Sequence, residues 1–235
     1  MINLSKYTDP YERKARLYPA LLCIFPVIVA ISISYPSIYK TLSGIVVLGA
    51  AIGMMQFISH LARDKGKAIE YELFHKWGGI PSVVVMRYSD NAIAPPAKVK
   101  YHSILSKKSG IQAPTREDEE SNPESADEVY LSWSDFLRGK TRDTKKYHLV
   151  FKENINYGFR RNLLGLKWFC VVFGVIGLAI LNLPIISGKE FTDTMLFMTT
   201  LIVIYTLIFV FVVNSNWVKV VAKEYGKQLV EAINA

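Results

Sequence analysis

Hydrophobic positions gather in two blocks towards the ends of the chain and leave a polar stretch between them. In the first block, Leu17 to Tyr35 carries no Asp, Glu, Lys or Arg, a short link passes through Pro36 and Lys40, and Leu42 to Ala62 is again uncharged. In the second block the uncharged runs are Trp168 to Ser187 and Thr194 to Trp217. Each approaches or exceeds the roughly 20 residues that a helix, rising about 1.5 Å per residue, needs to cross a hydrocarbon layer of about 30 Å. The last run is rich in Val, Ile and Thr, which favour strand in water, but in lipid a helix satisfies its own backbone hydrogen bonds. The pattern predicts a mainly α chain with four transmembrane helices. They form two hairpins flanking a small, mostly helical cytoplasmic domain with one or few short strands. The expected divisions are 1–62 (spans 17–35 and 42–62), a cytoplasmic domain over 63–162, 163–217 (spans 163–187 and 194–217) and a cytoplasmic C-terminal helix over 218–235.

The first span has the basic lead of a signal peptide in Arg13, Lys14 and Arg16. It ends in Ile31-Ser-Ile-Ser-Tyr-Pro36 without a small-x-small cleavage site, and another span follows at once, so it reads as a retained anchor. Orientation follows from Lys and Arg. Lys6, Arg13, Lys14 and Arg16 precede span one; Arg63, Lys65 and Lys67 follow span two; Arg160, Arg161 and Lys167 flank the start of span three; Lys219, Lys223 and Lys227 follow span four. The opposite loops offer only Lys40 and Lys189. Both termini and the middle segment are therefore expected in the cytoplasm.

In the polar middle, the helical period of span two is expected to continue through Ala68, Ile69, Glu72, Leu73 and Lys76 to a glycine cap at Gly78 or Gly79, with Pro81 blocking resumption. The β-branched run Ser82 to Tyr88 predicts a short strand. Pro95 and Pro96 open a helix that carries Tyr101, Ile104 and Leu105 and stops at Gly110, and another helix start falls at Thr115. Asn122 and Pro123 read as cap and first position of an amphipathic helix whose apolar face is Ala126, Val129, Tyr130, Trp133, Phe136 and Leu137. The acidic residues around its start, from Glu117 to Glu128, read as a solvated face that suits a positive helix N-terminus. Lys219, Lys223 and Lys227 recur every four residues beyond span four, so that helix is expected to run on into the cytoplasm.

Composition sharpens the picture in one place. Hydrophobic residues make up 51% of 235, mean hydropathy is +0.21, and 28 basic against 20 acidic side chains give a net charge of +8. From Thr141 to Trp168 the count is seven basic residues minus two acidic, or +5, interleaved with Tyr147, Phe151, Tyr157, Phe159 and Trp168. This stretch fits the inside-positive flank of span three, with aromatic rings at the headgroups. The alternative is a surface for a phosphate-rich ligand, formed by Arg142, Lys145, Lys146, Arg160 and Arg161, because cations neutralise phosphates while aromatic faces stack on bases.

No phosphate loop, dinucleotide fingerprint, zinc-protease motif or nucleophile elbow occurs, so neither enzymatic activity nor a cofactor is expected. An enzyme acting on lipid would need a site assembled from dispersed His and Asp residues. His60, His75, His102 and His148 are single and scattered, and Cys23 and Cys170 sit in apolar runs without zinc-site spacing, so no metal is expected. The four uncharged runs contain no Asp, Glu, Lys or Arg, which disfavours ion-coupled transport. Uncharged polar residues remain as pore or gate candidates: Gln56 and His60 in span two, and Thr199, Thr206 and Asn214 in span four. Thr199, Tyr205 and Thr206 do not share one face, which favours a helix interface. Gly49-Ala-Ala-Ile-Gly53 permits close helix approach, within a protomer or between protomers.

The segments Leu73-Phe-His-Lys-Trp-Gly-Gly-Ile-Pro-Ser82, Arg142-Asp-Thr-Lys-Lys146 and Glu153-Asn-Ile-Asn-Tyr-Gly-Phe-Arg-Arg161 resemble those of a family of bacterial four-span inner-membrane proteins. The resemblance extends to membrane effectors of antiphage systems of the Hailong type. It implies an oligomeric inner-membrane channel, controlled by a nucleotide or short oligonucleotide that a nucleotidyltransferase of the same system makes. It transfers no site residues. The combined expectation is a homo-oligomer of about four subunits, since two hairpins are too few to enclose a pore. The alternative is a non-conducting scaffold that anchors a partner protein through the Trp133 helix or the Ser82 strand.

Overall fold

A computed structural model describes residues 9–36, 44–186, 188, 190 and 192–234; of 44–48, 50, 51 and 186 it describes the backbone only. Lys6, Lys40, Lys189, Ser187 and the start of the second expected span at 42–43 lie outside the described residues. The elements are a π-helical lead over Glu12–Leu17, α1 (Tyr18–Ser34), α2 (Gly44–Ala68), α3 (Glu70–Trp77), α4 (Pro81–Val84), α5 (Pro95–Ser109), α6 (Arg116–Ser121), α7 (Pro123–Lys140), α8 (His148–Gly165), α9 (Lys167–Ile186), α10 (Asp193–Phe211), α11 (Ser215–Glu231) and a closing 3-10 turn over Ala232–Asn234. The chain forms two compact units, Met1–Glu70 with Gly158–Trp217, and Tyr71–Tyr157 with Val218–Ala235.

The first unit contains three described helices long and apolar enough to cross a membrane: Glu12–Ser34, Lys167–Ile185 and Asp193–Phe211. The second expected span falls on α2, part of which lies outside the described side chains. α9 packs against α1 and α10. Around Ala20, Cys23, Ile58, Ala62, Leu163, Leu166, Cys170, Phe209 and Val213 the helices share one apolar core, in which both thiols are buried. Large apolar side chains such as Phe25, Phe57, Val175, Phe197 and Phe211 stay exposed, the arrangement a lipid-facing surface requires.

Three prolines organise this unit through the hydrogen bonds they remove. A proline inside a helix has no N–H to donate to the carbonyl four residues earlier, and in hydrocarbon that carbonyl finds no water. Pro19 deprives Ala15, Pro26 deprives Leu22 and Pro184 deprives Ile180. Each of these carbonyls accepts a side-chain donor from another helix: Asn162 Nδ2 at 2.8 Å for Ala15, Tyr205 Oη at 2.9 Å for Leu22 and Ser34 Oγ at 3.2 Å for Ile180. Close approach accompanies them. A Cβ on Gly177 would lie 2.9 Å from the Pro26 carbonyl oxygen, and one on Gly165 would lie 2.6 Å from the Gly66 nitrogen.

The second unit is built around Val83, Met86, Leu105, Tyr130, Trp133, Leu137, Leu229 and Ile233. α7 forms as its spacing predicts: Asn122 Oδ1 accepts from Ser125 N at 3.2 Å, Pro123 occupies the first turn, and Ala126, Tyr130, Trp133 and Leu137 are buried. Thr115 and Asp118 complete a capping box on α6, and Gly110, at φ 73°, closes α5.

The expected strand at Ser82–Tyr88 is instead the short helix α4 followed by turns, and no strand occurs among the described residues. Ile80, extended at ψ 130° as a residue before proline must be, hands over to Pro81 at the first helical position. Val83, Val85 and Met86 are then buried in the helical core, so packing overrides their β propensity. The helix after span four is also interrupted. α10 stops at Phe211 and α11 restarts at Ser215, because Asn214 Oδ1 accepts from Trp217 N at 3.0 Å and caps the new helix. Span three begins at Lys167; the expected residues 163–165 belong to the end of α8.

Candidate functional site

Two surfaces gather the candidate residues. In the second unit, Arg142, Lys145 and Lys146 lie on the exposed turn between α7 and α8. Asp143 shapes this turn, its Oδ1 accepting from the backbone N–H of Lys145 at 3.0 Å and of Lys146 at 3.1 Å. The next residue, Tyr147, is buried and presents its ring to Lys146 at 5.2 Å and to Lys140 at 5.9 Å. Lys140 Nζ also donates to the carbonyls of Ala232 and Ile233, each at 3.2 Å. Partial burial holds the Lys140 ammonium below its ordinary value; Tyr147 acts against this, and the charges of Lys108 and Lys146 add to it. Folding therefore adds Lys108 and Lys140, at the C-terminal ends of α5 and α7, to the three cations that the sequence singles out. Such a cluster of like charges is relieved by a polyanion.

Arg160 and Arg161 are placed differently, both in the first unit. The Arg160 guanidinium stacks over Trp217 at 4.7 Å and donates to its carbonyl at 2.8 Å. Arg161 is buried, donating to Glu70 Oε1 at 2.5 Å and to Asn162 Oδ1 at 3.2 and 3.0 Å. Burial would raise the Glu70 carboxyl, but the hydrogen bond from Lys67 and the Arg161 charge hold it below its usual range. Both arginines thus have internal partners that any phosphate would have to displace.

The second surface is a stripe on α2. At 3.6 residues per turn, Gly49, Gly53, Gln56 and His60 fall on one side of the helix, opposite the buried Ile58 and Ala62. All four are exposed, and a Cβ on either glycine would meet nothing within 4 Å. The candidates on α10 serve the protomer instead. Thr206 bonds back to the Ile202 carbonyl at 2.8 Å and packs where Gly174 of α9 leaves room; Thr199 lies 3.5 Å from Asn182 Nδ2 of α9. Asn214 is the cap of α11.

Sequence reasoning missed the buried polar group under the loop after α4. Lys98, 2% exposed, donates to the Arg87 carbonyl at 2.5 Å and to that of Asp90. Glu119, from the acidic run, is not solvated: it accepts from the backbone N–H of Tyr88 and Ser89 and from the Tyr130 hydroxyl, and Arg87 pairs with Asp127 through two bonds. His102 Nε2 donates to the Met86 carbonyl at 3.0 Å. These groups hold one another and the loop, and no cluster of His, Cys, Asp or Glu suited to a metal occurs among the described residues.

Long apolar helices with an exposed apolar surface, joined in one chain to a second helical unit with an apolar core of its own, define a mainly α-helical membrane protein. No family model matches the chain, and neither a curated protein nor a solved structure matches it.

Proposed function

We propose that the chain is one subunit of a homo-oligomeric inner-membrane channel, four spans per subunit, whose cytoplasmic unit binds a nucleotide or short oligonucleotide that controls the pore. The observation that carries this reading is the α2 stripe. Gly49, Gly53, Gln56 and His60 face away from the protomer core, and an imidazole exposed on an otherwise apolar stretch suits a neighbouring subunit or water better than lipid. Gln56 and His60 line the pore; the glycines let subunits approach. The ligand binds the Tyr147 cluster through Arg142, Lys145 and Lys146 with Lys108 and Lys140 beside them, while Arg160 and Arg161 brace the first unit. On the family resemblance, a nucleotidyltransferase supplies the ligand during antiphage defence.

The test combines assembly mass with flux. Purified protein in mild detergent is expected to scatter light as an oligomer, and its proteoliposomes to pass ions with a rate that changes when mixed mono- and oligonucleotides are added. Gln56→Leu with His60→Leu should leave the mass unchanged and reduce flux at least about tenfold, as a dewetted constriction does. Changing Arg142, Lys145 and Lys146 together to Glu should abolish the nucleotide response. A monomer that passes no ions overturns the channel and favours the anchoring scaffold.

A further inference from the structure

A cleft of about 210 Å3 lies in the second unit between the Trp77–Pro81 turn and α11, separate from the Tyr147 cluster and lined by Trp77, Gly79, Pro81, Val84, Asp90, Lys219 and Lys223. Its construction follows from two glycines. Gly79 sits at φ 140°, and a Cβ there would come within 2.8 Å of the Arg87 guanidinium, so only glycine lets the turn close over this side. Gly226 accepts the peptide after Pro81, since a Cβ on it would lie 2.9 Å from the Pro81 carbonyl and the Ser82 nitrogen. Lys219 and Lys223 precede Gly226 by seven and three residues, which puts all three on one face of α11 and aims both lysines along the cleft.

The charges do not balance. Asp90 is the one carboxylate in the lining, and both its oxygens are engaged: Oδ1 accepts from Ala92 N at 2.7 Å and Oδ2 from Lys223 Nζ at 2.7 Å. The buried Lys98 ammonium, held below its ordinary value by desolvation, also lies within reach of the Asp90 charge. Lys219 is exposed and has no ion-pair partner among the described residues. Trp77, Pro81 and Val84 give the opposite wall an apolar surface.

We infer that this cleft binds a phosphate ester, its anionic group between Lys219 and Lys223 and its organic part against Trp77 and Val84. A compact oxyanion group matches two ammonium heads, which bind phosphate as point charges. The ester can be soluble or the headgroup of a phospholipid, and the two share this chemistry.

The full-length protein, stripped of lipid in non-ionic detergent, would be titrated calorimetrically with glycerol 3-phosphate and separately with dihexanoyl phosphatidic acid. Saturable binding of either is expected, and the probe that binds identifies the source. Lys219→Glu, on an exposed side chain, and Val84→Trp, which fills the cleft, should each weaken it about tenfold or more, the loss expected for one charged hydrogen bond. The Arg142, Lys145 and Lys146 to Glu variant should bind as well as the parent, which keeps this site distinct from the proposed nucleotide surface. Absence of saturable binding by both probes, or binding unchanged in Lys219→Glu, overturns the inference.

Discussion

His102 shows how much a single titratable side chain can contribute when the core closes over it. It is 2% exposed, packed among Tyr88, Tyr130 and Trp133, and desolvation lowers its pKa from 6.5 to about 4 against the opposing pull of the Met86 carbonyl, with Lys98 adding to the depression. The folded protein therefore holds a neutral ring while the unfolded chain takes up a proton below about pH 6.5. Between these two values the unfolded state binds more protons, so stability rises with pH; the contribution is complete above pH 6.5 and is lost as pH falls towards 4. Its ceiling is about 3 kcal/mol. The melting temperature of the purified protein should fall between about pH 7.5 and pH 5, and His102→Gln should flatten that dependence. An equal slope in the variant would assign the acid sensitivity to other groups.

At the scale of elements, helices with local signals are legible in the sequence and those decided by distant partners are not. α7 announces itself through Asn122, Pro123 and the spacing of Ala126, Tyr130, Trp133 and Leu137, because cap, proline and apolar stripe all act within a few residues. The run from Ser82 to Tyr88 has equally clear β propensity, yet its fate depends on burial among α5, α7 and the C-terminal turn, which no local pattern contains. The candidate site divides in the same way. Arg142, Lys145 and Lys146 stand on an exposed turn, whereas Arg161 is drawn inward by Glu70, a residue far away in sequence. On sequence alone the hydroxyls and amides of the spans fit an interface or a pore; the prolines give two of them, Tyr205 and Ser34, a more specific task. This supplies a double-mutant test. Tyr205→Phe should cost about 1–3 kcal/mol by orphaning the Leu22 carbonyl. In a Pro26→Ala background, where the substituted alanine restores the backbone donor and keeps a Cβ against Gly177, the same change should cost clearly less. Denaturation in mixed micelles measures both, and equal costs in the two backgrounds would rule out the proline as the reason for Tyr205.

At the scale of the molecule, the first unit contains an internal argument about topology. Asn162 reaches Ala15 just before α1, Arg161 reaches Glu70 just after α2, and Arg160 reaches Trp217 after α10. The start of α1, the end of α2, the approach to α9 and the chain after α10 thus meet at one level, an arrangement compatible with the two hairpins proposed. If α2 did not cross, Arg63, Lys65 and Lys67 and the basic approach to α9 would lie on the opposite side from Arg13, Lys14 and Arg16, against the positive-inside rule. The proposed four-span arrangement, with both termini and the middle in the cytoplasm, makes a definite labelling prediction. Lys40→Cys and Lys189→Cys, one in each short link, should react with a membrane-impermeant maleimide on intact bacteria expressing the protein. Lys107→Cys in α5 and Lys227→Cys in α11 should react only after the membrane is permeabilised. Cys23 and Cys170, buried in the helical core, give little background. Labelling of Lys107→Cys on intact cells would put the second unit outside and remove the cytoplasmic ligand surface from the proposal, whereas protection of Lys40→Cys alone would show that α1 and α2 do not form a transmembrane hairpin.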